Sequence, residues 1–302
     1  MVTLVRAPNP SAMTLQGTNS YVLDCGDATA LVIDPGPAID DHLHALVETA
    51  RSQHLTIRAI ALTHGHPDHA LGAQRLATMT NAPLYAHPKS KVSHDADLPL
   101  EGELHAGTVA LRTIDAPGHS FDHAIFYLPP EGALFTGDTI LGEGTTVVAP
   151  PGGAMRPYQR TLQRLADEFG DARVLYGGHG PVVNDPKAKI AEYIAHRQMR
   201  EQQILDALSE EPRTIPDLVR RIYSPQRQPL WPAMARQILA HLVALEDEGR
   251  VRSHVLDRAM TPEEWAILNP RIEEFVGPQE AAVITAELGS EMRLESLRLY
   301  QR

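Results

Sequence analysis

The sequence predicts an α/β fold in which helices cover two β-sheets, and two observations support this prediction. Over the first two-thirds of the 302 residues, short apolar and β-branched runs alternate with runs of helical character. Most of the apolar runs end in turns rich in glycine, proline and polar residues. Two sheets covered by helices are the natural packing of such a pattern.

The first elements follow from the apolar runs and the turns that close them. Residues 21–25 and 30–33 are predicted strands, and the turn at 34–37, with two prolines and a glycine, ends the second one. Residues 39–52 are a predicted helix, and 57–62 are a predicted buried strand because the run is almost entirely apolar.

A second helix is predicted at 68–80, with Asp68 near its N-terminal end, where a carboxylate is favoured. Further strands are expected at 109–114, 124–128, 133–136 and 173–176. Each of the last three runs directly into a loop or turn rich in glycine and polar residues.

After Pro186 the pattern changes. Residues 187–208 are predicted to form one long helix, followed by helices at 215–223 and 233–248 and a strand-like run at 251–256. Helix, loop, helix and then a β-hairpin is the pattern of a winged helix. The predicted domains are residues 1–196, a winged-helix-like unit at 197–258, and a helical extension at 259–302 with eight acidic residues against four arginines.

Composition excludes several classes of protein. With 43% hydrophobic and 22% charged residues, the chain is expected to be a soluble globular protein. Its formal net charge of −11 argues against a protein that coats nucleic acid by bulk electrostatics, although a local basic cleft is compatible with that total. The single cysteine, Cys25, excludes an intrachain disulfide and hence a disulfide-based secreted fold.

The N-terminal residues contain no basic leader followed by an apolar run and a cleavage site. The chain also contains no uninterrupted apolar stretch of about 18 residues, the length that a membrane span needs. We therefore expect a cytoplasmic protein without membrane association.

The most informative segment is 63–69, which places His64, His66, Asp68 and His69 directly after an apolar strand. In an extended loop, the first two imidazoles project to the same side and can chelate one ion. Asp68 and His69 lie where the chain turns into a helix and can face a second ion. Nitrogen and oxygen ligands without a thiolate favour Zn²⁺ and are also compatible with Mn²⁺ or iron.

Three further candidate ligands follow later strands. His119 lies in a Pro-Gly-His turn, Asp138 ends a strand with a carboxylate that can bridge two cations, and His179 follows two glycines that permit close backbone approach. All the candidate ligands lie at strand ends, where a shared site would collect them. A lone histidine in a turn is usually a surface or capping residue, and we assign that role to the other ten: His42, His44, His54, His87, His94, His105, His123, His196, His241 and His254.

The order T-H-x-H-x-D-H, a later histidine, an aspartate and a last histidine resembles the metallo-β-lactamase superfamily over residues 1–196. The resemblance implies a four-layer αββα sandwich and two metal ions. It assigns His64, His66, His119 and Asp138 to the first ion. It assigns Asp68, His69, Asp138 and His179 to the second.

Three segments are similar to one branch, the beta-lactamase-like protein 2 family. They are residues 15–21, residues 137–146, and the run from 176 to 205. The winged-helix-like unit belongs to the same family pattern. The resemblance implies an endoribonuclease that acts on single-stranded RNA. The acidic extension beyond residue 258 and the lack of an organelle-targeting leader depart from that pattern, and they put the biological role in doubt more than the chemistry.

We expect a hydrolase with two Zn²⁺ per chain, in which a metal-bridging hydroxide attacks a phosphodiester of single-stranded RNA. Asp68 and Asp138 are the predicted catalytic carboxylates, the first as a metal ligand and the second as the bridge. The alternatives are a small-molecule hydrolase for a thioester, as in glyoxalase II, or for a lactam or lactone, and a non-catalytic RNA-binding module. The complete set of seven ligands argues against the last.

Candidate substrate contacts are Asn19, Glu143, Thr145 and Thr146; turn capping or a salt bridge explains these residues equally well. In the winged-helix-like unit, Arg220, Arg221, Arg227 and Arg236 are candidate RNA contacts. That unit is nearly neutral, with ten basic and nine acidic residues, so packing against the first domain is the alternative. The acidic extension is a candidate surface for pairing two copies of the chain.

Overall fold

The structure, a computed structural model, describes residues 1–269, 278, 281–282, 294 and 296–302, without the side chains of 227–229. Most of the predicted helical extension at 259–302 and the side chain of Arg227 therefore lie outside the described residues. Among the described residues, no helix combines the length and apolar character that a bilayer span requires.

The first sheet has six strands in sequence order. The first three are antiparallel to one another, and the third to sixth are parallel. The strands are β1 (Val2–Arg6), β2 (Asn19–Asp24), β3 (Thr29–Ile33), β4 (Thr56–Ala61), β5 (Leu84–Ala86) and β6 (Ala96–Asp97). Its outer face is covered by α1 (Asp40–Ser52) and α3 (Ala73–Thr80), with the single turn α2 (Pro67–Ala70) before α3.

The second sheet has five strands in the order β11-β10-β9-β8-β7, antiparallel except for the parallel pair β10 and β11. The strands are β7 (Glu103–Ala106), β8 (Val109–Asp115), β9 (Ala124–Leu128), β10 (Ala133–Gly137) and β11 (Val174–Gly177). Helices α4 (Met155–Glu168) and α5 (Pro186–Glu210) cover its outer face.

Successive side chains of a strand point to opposite faces of its sheet. The apolar residues therefore alternate between the layer that joins the two sheets and the layer beneath the helices. Tyr21 and Leu23 of β2 face Phe126 and Phe135 of the second sheet, whereas Val22 packs towards the first pair of helices. Two sheets packed on each other with helices outside each one confirm the four-layer αββα sandwich.

The C-terminal unit has its own apolar cluster. It contains α6 (Ile215–Ile222), a 3₁₀ turn (Pro225–Leu230), α7 (Trp231–Asp247), α8 (Pro262–Leu268), β12 (Arg213–Thr214), β13 (Arg252–Val255) and β14 (Arg298–Gln301). The boundary expected between residues 196 and 197 falls inside α5, which is continuous across it. The domain limits therefore stay predictions.

Two predicted elements differ from the structure, and one long helix was not predicted. The helix expected at 68–80 is two helices, and the break falls at Leu71 and Gly72, where the N–H of Gly72 donates to the carbonyl of Gly36 at 2.9 Å. Helix α4 was not predicted. The expected local β-hairpin was wrong, since β13 pairs with β14 from the chain's last residues rather than with a neighbouring segment.

Candidate metal centre

The seven candidate ligands meet at one edge of the sandwich, because four strands end there. The segment that carries His64, His66, Asp68 and His69 leaves β4 and enters α2. The other three follow β8, β10 and β11, and they are His119, Asp138 and His179. His64, Asp68, His69 and His179 are buried, while the other three are partly exposed and form the open side of the site.

The ligands form two groups, each with its donor atoms within 4.8 Å of one another: His64 with His66 and His119, and Asp68 with His69 and His179. In the first group Nδ1 of His66 lies 2.9 Å from Nε2 of His119. In the second, Oδ2 of Asp68 lies 3.2 Å from Nε2 of His179 and 3.3 Å from Nε2 of His69. These spacings allow each group to converge on one ion.

Asp138 lies between the two groups. Its Oδ2 is 3.7 Å from Nε2 of His119, and its Oδ1 is 3.3 Å from Nε2 of His69 and 3.5 Å from Nε2 of His179. One oxygen therefore faces each group, as a bridging carboxylate requires. Gly178 makes this approach possible, since a Cβ at that position would overlap Oδ1 of Asp138.

Hydrogen bonds fix which ring nitrogen of four histidines is free. The Nδ1–H of His69 donates to Oδ2 of Asp34 at 2.8 Å, and that of His119 to the carbonyl of Val147 at 2.8 Å. His64 and His179 likewise direct Nδ1 at an oxygen, of Thr63 and Gly17 respectively. With the proton on Nδ1, Nε2 keeps the lone pair that a metal needs.

Unpartnered buried atoms show that the residues fit a metal. Nε2 of His64, Nε2 of His69 and Oδ1 of Asp138 are buried and form no hydrogen bond. Leaving such atoms without a partner costs roughly 1–3 kcal/mol each. All three atoms point into the space between the two groups, so coordination is the interaction that accounts for them.

The pKa values of the two groups differ. Burial and the neighbouring imidazoles lower the pKa of His64 well below its usual value, and burial lowers that of His119 to about 4. Burial opposes the charge of His179, but Asp138 and Asp68 outweigh it and raise its pKa to about 10. Burial alone would raise the pKa of Asp138, yet His179 and His69 hold it well below the usual range.

Asp34 is a residue of the site that the sequence prediction missed. Its side chain is buried and accepts three hydrogen bonds, from the N–H of Thr63, the hydroxyl of Thr63 and the ring of His69. It was placed only in a turn. The available indication was its position at the end of β3, next to β4, whose end starts the ligand segment.

His123 was assigned a surface or capping role, and that assignment was wrong. The residue is fully buried, and its ring stacks on that of His64 with centroids 4.8 Å apart. Its Nε2 accepts the backbone N–H of Asp138 at 3.1 Å. Beside it, Asp122 accepts the N–H of Gly65. His123 and Asp122 therefore hold the backbone at Asp138 and between His64 and His66.

The predicted substrate contacts lie near the centre in different environments. Asn19 is buried, and its amide donates to the carbonyls of Gly177 and Gly180. Thr146 is buried, and its hydroxyl donates to the carbonyl of Asp138 at 2.7 Å. Glu143 and Thr145 are exposed on the loop after β10. Their contact with substrate stays a prediction.

The arginines proposed for RNA contact are engaged within the C-terminal unit. Arg220 pairs with Glu263 at 3.1 Å, and Arg221 pairs with Glu210. Arg236 is buried and donates to the carbonyl of Leu268 at 2.9 Å.

Comparison with known proteins supports both parts of the fold. Residues 13–179 match the family model described as Metallo-beta-lactamase superfamily. Residues 214–258 match the model described as Beta-lactamase associated winged helix domain. The first match covers the sandwich except β1 and α5, and the second covers the C-terminal unit from α6 to β13 without α8 and β14.

Individual relatives extend this result. The chain is 33% identical over 270 residues to a beta-lactamase-like protein 2 homolog of Drosophila melanogaster, covering 81% of this chain and 87% of that protein. It is 34% identical over 209 residues to an atrochrysone carboxyl ACP thioesterase of a Cryptosporiopsis species, covering 68% and 62% respectively. A metallo-beta-lactamase family protein of Thermus thermophilus superimposes with a TM-score of 0.69 at 26% identity, covering 84% of this chain and 95% of that one.

Proposed function

We propose which metal ions this chain binds and which substrate it cleaves, and the premise is that the chain belongs to the metallo-beta-lactamase superfamily. The chain is a hydrolase of that superfamily with a His/Asp cluster able to bind metal. The proposal is that it binds two Zn²⁺ and cleaves phosphodiester bonds of single-stranded RNA.

The observation that carries the metal content is the position of Asp138 between two three-residue groups. Three donors on each side plus one oxygen of Asp138 give two four-ligand sets without a thiolate, which suits zinc. Two bound ions would lower the pKa of a water molecule towards neutrality and stabilise negative charge that develops on the substrate. Asp138 would set their separation, and Asp68 would act as a ligand.

RNA is favoured as the substrate by similarity along most of the chain. The match to the Drosophila protein extends beyond the sandwich, and the resemblance of residues 137–146 and 176–205 implies an endoribonuclease. The open side of the site, formed by His66, His119 and Asp138, leaves the centre accessible to a polymer.

Two cations placed to meet RNA lie beside the ligand segment of residues 63–69. Lys89 and Lys91 are two of the chain's four lysines, and both are exposed and form no ion pair among the described residues. Ser90, between them, lies against the ligand segment: its hydroxyl is 3.1 Å from where a Cβ of Gly65 would lie. Because phosphate contacts supply most of the affinity for nucleic acid, we expect the RNA strand to cross the segment that carries Lys89 and Lys91.

A thioester is the second candidate substrate, because one relative is named as a thioesterase. The same metal centre can stabilise negative charge on a carbonyl oxygen. In that case the C-terminal unit would only shape the pocket.

The decisive experiment uses one zinc-loaded preparation on a labelled single-stranded RNA and on a panel of acyl thioesters and lactams. An Asp138→Ala protein processed in parallel controls for contaminating nuclease. RNA cleavage that this substitution removes would support the proposal. Thioester turnover without RNA cleavage would replace it with the second candidate.

A further inference from the structure

We infer that Arg197 is a positioning residue of the metal centre, which it reaches through the loop of residues 138–148. This loop carries Asp138 at its start and contacts His119 near its end. Arg197 lies on α5, at the junction with the C-terminal unit. The inference rests on the metal site of the proposed function but not on its substrate.

Arg197 is buried in an unusual way for a charged residue. Only 1% of it is exposed, and no carboxylate lies within salt-bridge distance of its guanidinium in the part of the chain that the structure describes. Its partners are instead the carbonyl of Thr146, which accepts from Nη2 at 2.7 Å, and the rings of Tyr158 and Tyr193, whose centroids lie 5.1 and 6.0 Å away. A charge buried without a counter-ion is costly, so its contacts need a structural explanation.

The residue that Arg197 holds is one hydrogen bond away from the bridging ligand. The hydroxyl of Thr146 donates to the carbonyl of Asp138 at 2.7 Å. The next residue, Val147, accepts Nδ1–H of His119 at 2.8 Å. Fixing Thr146 therefore fixes the backbone of Asp138 and the ring orientation of His119 together.

The two tyrosines that pack on Arg197 bind the same loop. The hydroxyl of Tyr158 donates to the carbonyl of Thr139 at 2.7 Å. The hydroxyl of Tyr193 accepts the N–H of Leu141 at 2.9 Å. Arg197 thus stacks against the two side chains that anchor the first half of the loop, and itself anchors the second half.

Helix α7 completes this arrangement from the C-terminal unit. Oε1 of Gln237 accepts the N–H of Val148 at 3.2 Å, and Ala240 and Ala244 pack in the apolar cluster between the second sheet and α4. The C-terminal unit therefore supports the loop that presents Asp138 and His119. Partners that orient metal ligands typically change metal affinity by 10–100-fold when removed.

The test is zinc affinity, measured by competition with a chromogenic chelator on full-length wild type, Arg197→Met and Arg197→Lys. Methionine keeps much of the length of arginine but has no donor, and lysine keeps the charge and a donor group at its end. We expect the methionine variant to bind zinc at least about 10-fold more weakly, and the lysine variant to recover part of the loss. Unchanged affinity in folded Arg197→Met would overturn the inference.

Arg156→Met is the matched control, because Arg156 of α4 pairs with Glu201 and Glu248 across the same helices without touching the loop. An equal loss of zinc affinity in this control would attribute the effect to helix packing and would reject a positioning role. Arg197→Gln, which shortens the side chain and removes its charge, decides the matter if Arg197→Met does not fold. Weaker zinc binding in folded Arg197→Gln supports the inference, and wild-type affinity in that variant rejects it.

Discussion

Oδ2 of Asp34 lies 2.8 Å from Nδ1 of His69, so a residue from the end of β3 fixes the ring of a candidate ligand that follows β4. The other oxygen of Asp34 accepts the N–H of Thr63 at 2.7 Å. One buried carboxylate thus orients an imidazole and holds the start of the ligand segment.

Replacing Asp34 by alanine is expected to weaken zinc binding by about 10- to 100-fold, because His69 loses the partner that fixes its tautomer. The free energy of unfolding should fall by roughly 1–3 kcal/mol, since both donors of Thr63 become unpaired in the core. Chelator competition and denaturant titration measure the two effects. Asp24→Ala is the control, because among the described residues its carboxylate accepts only the N–H of Gly26, in a turn. Zinc affinity equal to wild type in Asp34→Ala would contradict the argument.

The zinc content measured by elemental analysis of protein purified without chelator should approach two equivalents per chain.

In Asp138→Ala and His66→Ala, the rate of hydrolysis should fall by more than the roughly 100-fold that loss of a partner outside the ligand set costs. Circular dichroism should stay close to wild type, because both side chains lie at strand ends rather than in an apolar cluster. A stable zinc content near one equivalent per chain in fully active wild type would reject the two-ion site.

Substituting glutamate for both Lys89 and Lys91 should weaken RNA cleavage, and more at low salt than at high. Each phosphate contact to a single strand contributes about 0.7 to the slope of log affinity against log salt, so the pair should reduce that slope by roughly 1.4. A small chromogenic phosphodiester should be hydrolysed as by wild type. The comparison variant is Arg220→Glu with Arg221→Glu, whose arginines are engaged with Glu263 and Glu210. If this second pair is the one that impairs RNA cleavage, the strand crosses the C-terminal unit instead.

Glu264 provides a pH-dependent test of the C-terminal unit. Hydrogen bonds from Arg258 lower its pKa from 4.5 to about 2, so its stabilisation is complete above about pH 4.5 and is lost as the pH falls towards 2. Glu264→Gln should lower the free energy of unfolding by up to about 1 kcal/mol at pH 7, because glutamine keeps the cap of α8 with Thr261 but loses the ion pair with Arg258. The difference should shrink below pH 4.5.

Tryptophan fluorescence measures this transition, because both tryptophans of the chain, Trp231 and Trp265, lie in the C-terminal unit. Glu263→Gln is the control, since the side chain of Glu263 is exposed and does not cap α8. A difference between wild type and Glu264→Gln that does not change with pH would refute the assigned role of the carboxylate.

The ligand cluster could be predicted because its residues follow strands directly, and strand ends in one layered fold converge. Asp34 and His123 could not be distinguished from turn and surface residues, because their role depends on which strands become neighbours. The stacking of His123 on His64, for example, joins a residue before β9 to one after β4. Only tertiary structure brings these positions together.

Helix α4 has apolar residues at helical spacing, with Met155, Tyr158, Leu162 and Leu165 buried, but it lacks a side-chain N-cap and carries proline in its first turn.

Strand β14 could not be paired from the sequence, since its partner β13 ends at Val255, 43 residues before β14 begins at Arg298. Long-range pairing leaves no local pattern by which to recognise it.

The position of β14 between β12 and β13 has a practical consequence for handling this protein. A fragment ending at residue 258 would keep the two outer strands and lose the one that joins them, exposing unpaired backbone edges that favour aggregation. A fusion placed directly after Arg302 would be separated from that central strand by a single residue.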